Sequence, residues 1–284
     1  MNQLTLSRSQ AKTLGDILTY VLVIVSSAVI MVPVLWMLST ALKPGGEVFL
    51  FPPRWLPSRI EWHNFRDALT FLPFAMYFRN TSVITISAML GQLLASPIVA
   101  YAFARLKARA SNAIFVLVLA TMMLPTHVTM IPLFILFQRL GWIDTFLPLI
   151  VPNFFGSAYY IFLLRQFFLT IPADLADAAK IDGCGHFGTY SRIYLPLSMP
   201  ALATVAIFTF MFNWNDFMSP LIYLSSNRNW TLTLGLSRFT GMYGMTAWNL
   251  LMAATLVTIT PCVLLFFFAQ RYFIQGIVIT GVKG

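Results

Sequence analysis

Between two long apolar segments the chain reads Asp174-Leu-Ala-Asp177-Ala178-Ala179-Lys180-Ile-Asp182-Gly183, and ten residues beyond that glycine it reads Ile193-Tyr-Leu195-Pro196. This polar stretch stands out because charged residues make up only 10% of the chain and hydrophobic residues 58%. Soluble domains average about 25% charged residues. A polar segment between two apolar ones indicates a region of a membrane protein that contacts something outside the membrane.

Six apolar segments are each long enough to cross a membrane, which takes about 20 mostly apolar residues. They cover roughly residues 17–38, 80–104, 113–137, 145–164, 200–224 and 246–270. Their apolar residues form continuous runs rather than periodic stripes, which excludes a large soluble core. The sequence therefore predicts an all-α, polytopic membrane protein with six transmembrane helices, several of which contain prolines that favour kinks.

The charge distribution predicts which ends of the spans face the cytoplasm. Arg105, Lys107 and Arg109 crowd a very short loop beside a span, and such loops are typical of the cytoplasmic side. An even number of spans puts both termini on one side. We therefore expect both termini and the polar stretch to lie in the cytoplasm.

These spans divide the chain into regions. We expect a cytoplasmic tail at 1–16, a first transmembrane helix at 17–38, an external segment at 39–79, a transmembrane core at 80–270 with a cytoplasmic loop at 165–199, and a cytoplasmic tail at 271–284.

The net charge of +9 does not indicate a nucleic acid partner. No basic patch is long enough to follow a phosphate backbone. The basic residues lie near span ends, where they favour anionic lipid head groups. The histidines are isolated and the cysteines lack metal-ligand spacing. We therefore expect membrane lipid as a partner, no nucleic acid and no metal site.

Small residues recur every four positions in the second span. They form two rows: Ser87, Gly91 and Ala95, and Ser96, Ala100 and Ala104. Such rows allow helix backbones to approach closely in lipid. They fit either packing within this chain or contact with a second membrane subunit, and the sequence does not distinguish the two.

The polar stretch has the signals of a short helix. The Thr170 hydroxyl can cap its start, and Pro172 suits its first turn. Asp174 suits the positive end of the helix dipole. Gly183 is placed to end the helix, because glycine adopts the left-handed conformation at little cost.

The faces of this helix leave two interpretations open. Asp177 lies within pairing reach of Lys180. Four residues fall near one face: Ile171, Leu175, Ala178 and Ala179. A face with small alanines suits close docking into a groove of a partner, but an ordinary solvated connection fits these residues as well.

The spacing of the stretch resembles the EAA loop of permease subunits of ABC importers. That motif reads Glu-Ala-Ala, a glycine four residues on, then nine residues and Ile-x-Leu-Pro. Here Ala179 precedes Gly183 by four residues, and nine residues separate Gly183 from Ile193. The resemblance implies that the following residues couple the chain to a cytoplasmic ATPase: Asp177, Ala178, Ala179, Asp182, Gly183, Ile193, Leu195 and Pro196.

The resemblance covers most of the chain and is strongest to the carbohydrate-uptake branch, the MalG-like subunits. Further features carry it: Ala41-Leu-Lys43-Pro44, Pro52-Pro53-x-Trp55, Asn213-Trp214-Asn215-Asp216-Phe217 and Gly281-Val282-Lys283-Gly284. It implies the type I ABC importer transmembrane fold in a bacterial inner membrane. It also implies a second permease subunit, two ATPase subunits and an external binding protein that delivers a sugar or related polyol, or a sugar phosphate.

The chain lacks a phosphate-binding glycine loop of its own. We therefore expect no cofactor and no catalytic residue on it, with ATP and magnesium bound by the partner ATPase. The chain is then a transport subunit rather than an enzyme.

Two departures from the family pattern concern the ATPase contacts. Asp177 stands where the motif has Glu, so a salt bridge to an ATPase arginine requires a closer approach. The resemblance implies that the tail residues Gly281, Val282, Lys283 and Gly284 also contact the ATPase. The tail reads Ile279-Thr280-Gly281 where family members often have more small residues.

A second polar cluster interrupts the fifth span at Asn213, Trp214, Asn215 and Asp216. An ionisable group at membrane depth is costly and is a functional candidate. Three interpretations stay open: hydrogen bonding between helices, a translocation path for substrate, or a gate.

An ion-coupled secondary transporter of small polar solutes is the main alternative. It predicts buried carboxylates near mid-membrane and often a repeat, but Asp216 is the one candidate carboxylate and no repeat is evident. An intramembrane enzyme would need a nucleophile–base pair or metal ligands, which the sequence does not show. A structural scaffold would leave the loop motif unexplained.

Overall fold

The apolar runs form long helices. The computed structural model describes residues 8–106, 108–240 and 247–281, with side chains from residue 12 to residue 270 within those ranges. The helices are α1 (Arg8–Ala41), α2 (His63–Phe71), α3 (Phe74–Arg105), α4 (Ser111–Ala120), α5 (Thr126–Arg139), α6 (Leu147–Ile150), α7 (Ala158–Thr170), α8 (Ala173–Ile181), α9 (His186–Thr189), α10 (Leu195–Leu197), α11 (Met199–Trp214), α12 (Met218–Tyr223), α13 (Leu232–Ser237) and α14 (Trp248–Gly281). No strand occurs among the described residues, and the all-α prediction is confirmed.

Up to six spans are present in the described part of the chain. Four are single apolar stretches: Lys12–Ala41, Phe74–Arg105, Leu147–Thr170 and Trp248–Gln270. The other two count as spans only if each of two bent pairs of helical segments is taken as one span, and the first segment of the second pair belongs to the loop at 165–199. Ser111–Met123 and Thr126–Arg139 meet at 98°, and His186–Leu197 and Met199–Trp214 meet at 76°.

The third and fifth spans do not follow the predicted course. The span predicted at 113–137 breaks at Leu124, whose ψ is 117°, because the proline that follows disfavours helical backbone in the residue before it. The span predicted at 200–224 is continuous only to Trp214, and the separate helix α12 follows. Conversely, α14 continues to Gly281, through most of the tail predicted at 271–284.

The described residues form two compact units, the first comprising residues 8–71, 239–240 and 247–257 and the second residues 72–106, 108–238 and 258–281. Within the first, the segment after α1 is tied to the end of that helix. The Asn64 amide donates to the carbonyls of Ala41 and Lys43 at 2.9 Å each. The buried Lys43 ammonium donates to the Arg54 carbonyl at 2.6 Å and lies 4.1 Å from the centre of the Trp36 ring. Burial lowers the pKa of Lys43.

Helix α3 is the centre of the second unit and packs against α7 and α11. Its small residues are used in this packing. A Cβ at Gly91 would lie 2.7 Å from the Phe154 ring, Ser96 donates to Gln92 at 2.8 Å, and Ala100 is fully buried. At these three positions the small residues therefore serve packing within this chain.

Candidate functional site

The polar stretch forms helix α8, which ends in a glycine cap. Gly183 has a φ of 82°. Its N–H donates to the Lys180 carbonyl at 3.0 Å, and the N–H of Cys184 donates to the Ala179 carbonyl at 2.8 Å. These bonds are those of a Schellman motif. The left-handed backbone explains why a glycine stands here, and the predicted end of the helix is confirmed.

The start of α8 differs from the prediction. The helix begins at Ala173 with Pro172 as its N-cap residue, and no side chain caps it. Thr170 instead ends α7, where its hydroxyl donates to the Phe167 carbonyl at 2.7 Å. Proline separates the two helices because it holds Ile171 in an extended conformation, with a ψ of 129°. Asp174 lies in the first turn of α8, as predicted.

The four residues predicted to fall near one face of α8 differ in exposure. Ile171 and Ala179 are buried, but Leu175 and Ala178 are exposed. The four residues therefore divide between an inner and an outer side. Ala176, which lies between them in sequence, is partly buried and packs against the core as well.

The outer side of the loop is unexpectedly apolar. Ile181 exposes 87% of its surface and Phe187 exposes 77%. Together with Leu175 and Ala178 they form what we call the outer apolar face. Outside the apolar spans, exposed apolar side chains of this size are candidates for contact with a partner.

The charged residues of α8 lie at the solvent. The Asp177 carboxylate accepts a bond from the Lys180 ammonium at 3.1 Å, as predicted, and both side chains are more than half exposed. Asp182 is exposed as well. Exposed ion pairs contribute little to stability, so these carboxylates remain available to a partner.

The second half of the loop joins the helix core through aromatic rings. The ring centre of Phe187 lies 6.2 Å from that of Tyr190, and the ring centre of Tyr190 lies 5.3 Å from that of Tyr101 of α3. The ring centre of Tyr194 lies 5.1 Å from that of Tyr101 and 5.8 Å from that of Phe168 of α7. Tyr190 and Tyr194 are both buried, so this half of the loop is packed closely against α3 and α7.

The Ile-x-Leu-Pro segment contributes to the same packing. Ile193 and Leu195 are partly buried against this core, whereas Pro196 is exposed. Of the eight residues predicted to couple to an ATPase, these two and Ala179 thus face the core of the protein.

Arg105 fixes the junction between α7 and α8, a role that the sequence analysis missed. Its Nη2 donates to the Phe168 carbonyl at 2.6 Å and to the Ile171 carbonyl. Its Cζ lies 5.0 Å from the centre of the Tyr194 ring. Carbonyls at a helix end lack intrahelical donors, and this guanidinium supplies them. Its position at the end of a predicted span was the signal available.

The polar cluster of the fifth span divides into two pairs. The buried Trp214 donates from Nε1 to the Thr258 carbonyl at 3.0 Å. The Asn215 amide donates to the Met211 carbonyl at 2.8 Å and contacts the Cys262 sulfur at 3.9 Å. This pair therefore packs against α14. Asn213 and Asp216 instead line a cavity.

This cavity has a volume of about 490 Å³ and lies beside the break in the third span. That volume falls in the usual range for small-molecule sites, roughly 300–1,000 Å³. Its walls come from α3, α5, α6, α11, α12 and their connections. The polar residues that line it are Thr81, Thr126, His127, Thr129, Asn153, Asn213, Asp216, Ser219 and Thr231.

A polar cluster around Asp144 holds the segment that follows α12, and the sequence analysis missed it too. The Asp144 carboxylate accepts bonds from the N–H groups of Ser225 at 3.0 Å and Ser226 at 2.8 Å. The Ser226 hydroxyl and the Asn229 amide also donate to it. Burial raises the pKa of Asp144, but these donors outweigh burial and lower it to about 2.

We expect this cluster to give the protein an acid-sensitive step. A lowered carboxyl pKa means that the unfolded chain binds the proton first. The stabilisation is therefore present above the ordinary pKa of 3.8 and is lost as the pH falls towards about 2. Thermal unfolding in detergent should show Asp144→Asn less stable than wild type at pH 7 and less sensitive to acid. An equal loss with the exposed control Asp174→Asn would contradict this assignment.

The sequence of this chain is similar to those of known transport proteins. The family described as binding-protein-dependent transport system inner membrane component matches residues 90–279. The arabinooligosaccharides transport system permease protein AraQ of Halalkalibacterium halodurans is 37% identical over 246 residues, which cover 87% of this chain and 86% of that protein. The sn-glycerol-3-phosphate transport system permease protein UgpE of Pectobacterium atrosepticum is 32% identical over 270 residues, covering 93% of this chain and 96% of that protein.

A solved structure shares the fold. It is a bacterial ABC transporter involved in the import of the acidic polysaccharide alginate, and one of its chains matches with a TM-score of 0.82 at 22% identity. The match covers 95% of this chain and 100% of that chain.

Proposed function

Since this chain belongs to the family of binding-protein-dependent transport system inner membrane components, we propose that it is the permease subunit of a carbohydrate importer and that loop 165–199 docks a separate ATPase. Family membership confirms the predicted permease subunit over the ion-coupled secondary transporter. The chain is a multi-pass membrane component of a bacterial importer, and its role is transport rather than catalysis.

The outer apolar face of the loop is the observation that carries the docking proposal. Ile181 and Phe187 are among its most exposed residues, in a segment proposed to lie in the cytoplasm with both termini. Leaving such residues in water is unfavourable, and an ATPase groove would cover them. Asp177 and Asp182 at the edge of the face can pair with cations of the ATPase, and the shorter Asp177 requires close approach.

The mechanism that follows is mechanical. An external binding protein delivers the solute, and two ATPase subunits, which carry ATP and magnesium, close on each other. Their movement displaces the docked loops of this chain and of a second permease subunit. The aromatic contacts of Tyr190 and Tyr194 pass the displacement to α3 and α7, and rigid-body movement of the spans changes access.

The substrate class and the remaining contacts are proposed from the relatives, the cavity and the sequence. The names of the relatives support a sugar, a related polyol or a sugar phosphate. Asn213 and Asp216 are proposed for the translocation path because they line the cavity. Gly281 ends α14, and Val282, Lys283 and Gly284 lie outside the described residues. Their proposed ATPase contact rests on the sequence resemblance.

Co-purification with the ATPase subunits tests the docking proposal. We expect Asp177→Arg and Gly183→Trp each to reduce the bound ATPase at least about tenfold, because the first places a cation at the contact and the second places a large ring there and strains the left-handed turn that ends α8. Lys180→Ala is the matched control. It removes the ion pair with Asp177 but keeps the carboxylate, and should leave binding intact. Full ATPase binding by both variants would overturn the proposal.

A further inference from the structure

The cavity beside the broken third span is lined, within the described residues, by negative charge without a matching lysine or arginine. Among the described residues that line it, Asp216 supplies a carboxylate and neither lysine nor arginine is present. We propose that this cavity accepts uncharged, hydroxyl-rich solutes and rejects anions, with Asp216 as the residue that determines this specificity. The inference rests on the proposed permease function and narrows its substrate class.

The hydrogen-bonding groups of the cavity are suited to hydroxyl donors. Asp216 Oδ1 accepts a bond from the Ser219 N–H at 3.1 Å, and Oδ2 has no hydrogen-bond partner among the described residues. The Asn213 amide nitrogen donates to the Thr209 carbonyl at 2.8 Å, which leaves its carbonyl oxygen as an acceptor. Sugar hydroxyls can donate to Asp216 Oδ2 and to the Asn213 carbonyl oxygen, and the Thr126 hydroxyl can donate to a sugar oxygen.

The remaining walls are apolar and aromatic. Phe137 and Tyr223 line the cavity, and their ring centres lie 5.3 Å apart. Both are largely buried, so their positions are fixed by packing. Rigid aromatic walls with a few polar groups are typical of small-molecule sites and suit the C–H faces of sugar rings.

An anion would meet repulsion without compensation. A carboxylate or phosphate within a few Å of Asp216 is repelled strongly where water is scarce. His127 is the one lining group that protonation could make cationic. The other cations of α3 and α5 do not line the cavity: Arg79, Arg105 and Arg139. The relatives named for sn-glycerol 3-phosphate and for alginate serve anionic solutes, so we expect this chain to differ from them.

Labelling of a cysteine in the cavity tests the charge directly. The variant carries Ser219→Cys in a background of Cys184→Ser and Cys262→Ala, and it is assembled into the whole transporter in nanodiscs. A cationic and an anionic methanethiosulfonate are compared, with each rate divided by the reagent's rate with a free thiol. We expect the cationic reagent to react at least about tenfold faster and Asp216→Asn to remove most of this preference. The exposed control Asp67→Asn should keep it.

Protection by sugars tests the solute class in the same preparation. Neutral arabinotriose should slow the labelling, and trigalacturonate, an anionic sugar of equal length, should not. Equal labelling by the two reagents, a preference unaffected by Asp216→Asn, protection by trigalacturonate, or protection by neither sugar would overturn the inference. ATP-dependent uptake by the same transporter is measured separately. The arm that tests the proposed function uses the unsubstituted chain: absence of its uptake would contradict the proposed function, whereas a failed labelling experiment alongside normal uptake by the unsubstituted chain would contradict only the charge selection.

Discussion

Replacing Ala178 by tryptophan is expected to abolish ATP-driven uptake while the permease still folds. Ala178 is exposed and lies three residues from both Leu175 and Ile181, in the middle of the outer apolar face. A large ring there would hold the loop away from its groove. Even a loss of about 3 kcal/mol in docking corresponds to more than a hundredfold in affinity. Uptake into proteoliposomes that contain the whole transporter is the measurement.

The same substitution at Ala75 is the matched control. Ala75 is an exposed alanine in the first turn of α3, at the end of that helix opposite Arg105. Ala75→Trp should keep uptake within about twofold, since surface substitutions rarely change stability by more than about 0.5 kcal/mol. Near-normal uptake by Ala178→Trp, or a similar loss in both variants, would refute the docking role of the face.

Removal of the Arg105 guanidinium is expected to lower uptake while ATP hydrolysis continues. In Arg105→Met the carbonyls of Phe168 and Ile171 lose their charged donor, so α8 is held less firmly to the end of α7. Each charge-assisted hydrogen bond contributes about 1.5–3 kcal/mol. The outer apolar face is unchanged, and the ATPase should still bind and hydrolyse ATP. Uptake per ATP hydrolysed should fall about tenfold or more, measured in the same proteoliposomes.

Two further variants distinguish this positioning role from a general loss of folding. Arg139 also ends a helix, α5, but the structure gives it no hydrogen bond or ion pair within the described residues. Arg139→Met should leave the ratio of uptake to hydrolysis unchanged. Arg105→Lys keeps one cationic donor and should restore part of the ratio. A parallel fall of hydrolysis and uptake in Arg105→Met would indicate that Arg105 supports folding alone.

Local signals predicted much of this fold because they depend on few neighbours. Continuous apolar runs located the spans, and the position of Gly183 located the end of α8, since both follow from backbone and solvent chemistry. The pairing of Asp177 with Lys180 is likewise set by helix geometry. The spacing of the family motif favoured docking to a partner. Physical reasoning alone had left docking and an ordinary solvated connection both open.

Other features depend on contacts distant in sequence. Asp144 binds Ser226, which is 82 residues away, and Arg105 binds carbonyls 63 and 66 residues away. Residue types at single positions do not show such pairs. The inner and outer sides of α8 could not be assigned because its alanines fit either side. Pro125 was recognised within a span, but its bend of 98° depends on how the neighbouring helices pack.

Site-specific photo-crosslinking tests the central claim most directly, namely that this loop contacts a separate ATPase. A photoreactive phenylalanine analogue is placed at Ile181, which exposes 87% of its surface, and as a control at Phe212 of α11, which exposes 71%. After illumination of the whole transporter, position 181 should give an adduct with the ATPase polypeptide and position 212 should give none. The absence of an ATPase adduct from position 181, or adducts of equal yield from both positions, would contradict the claim.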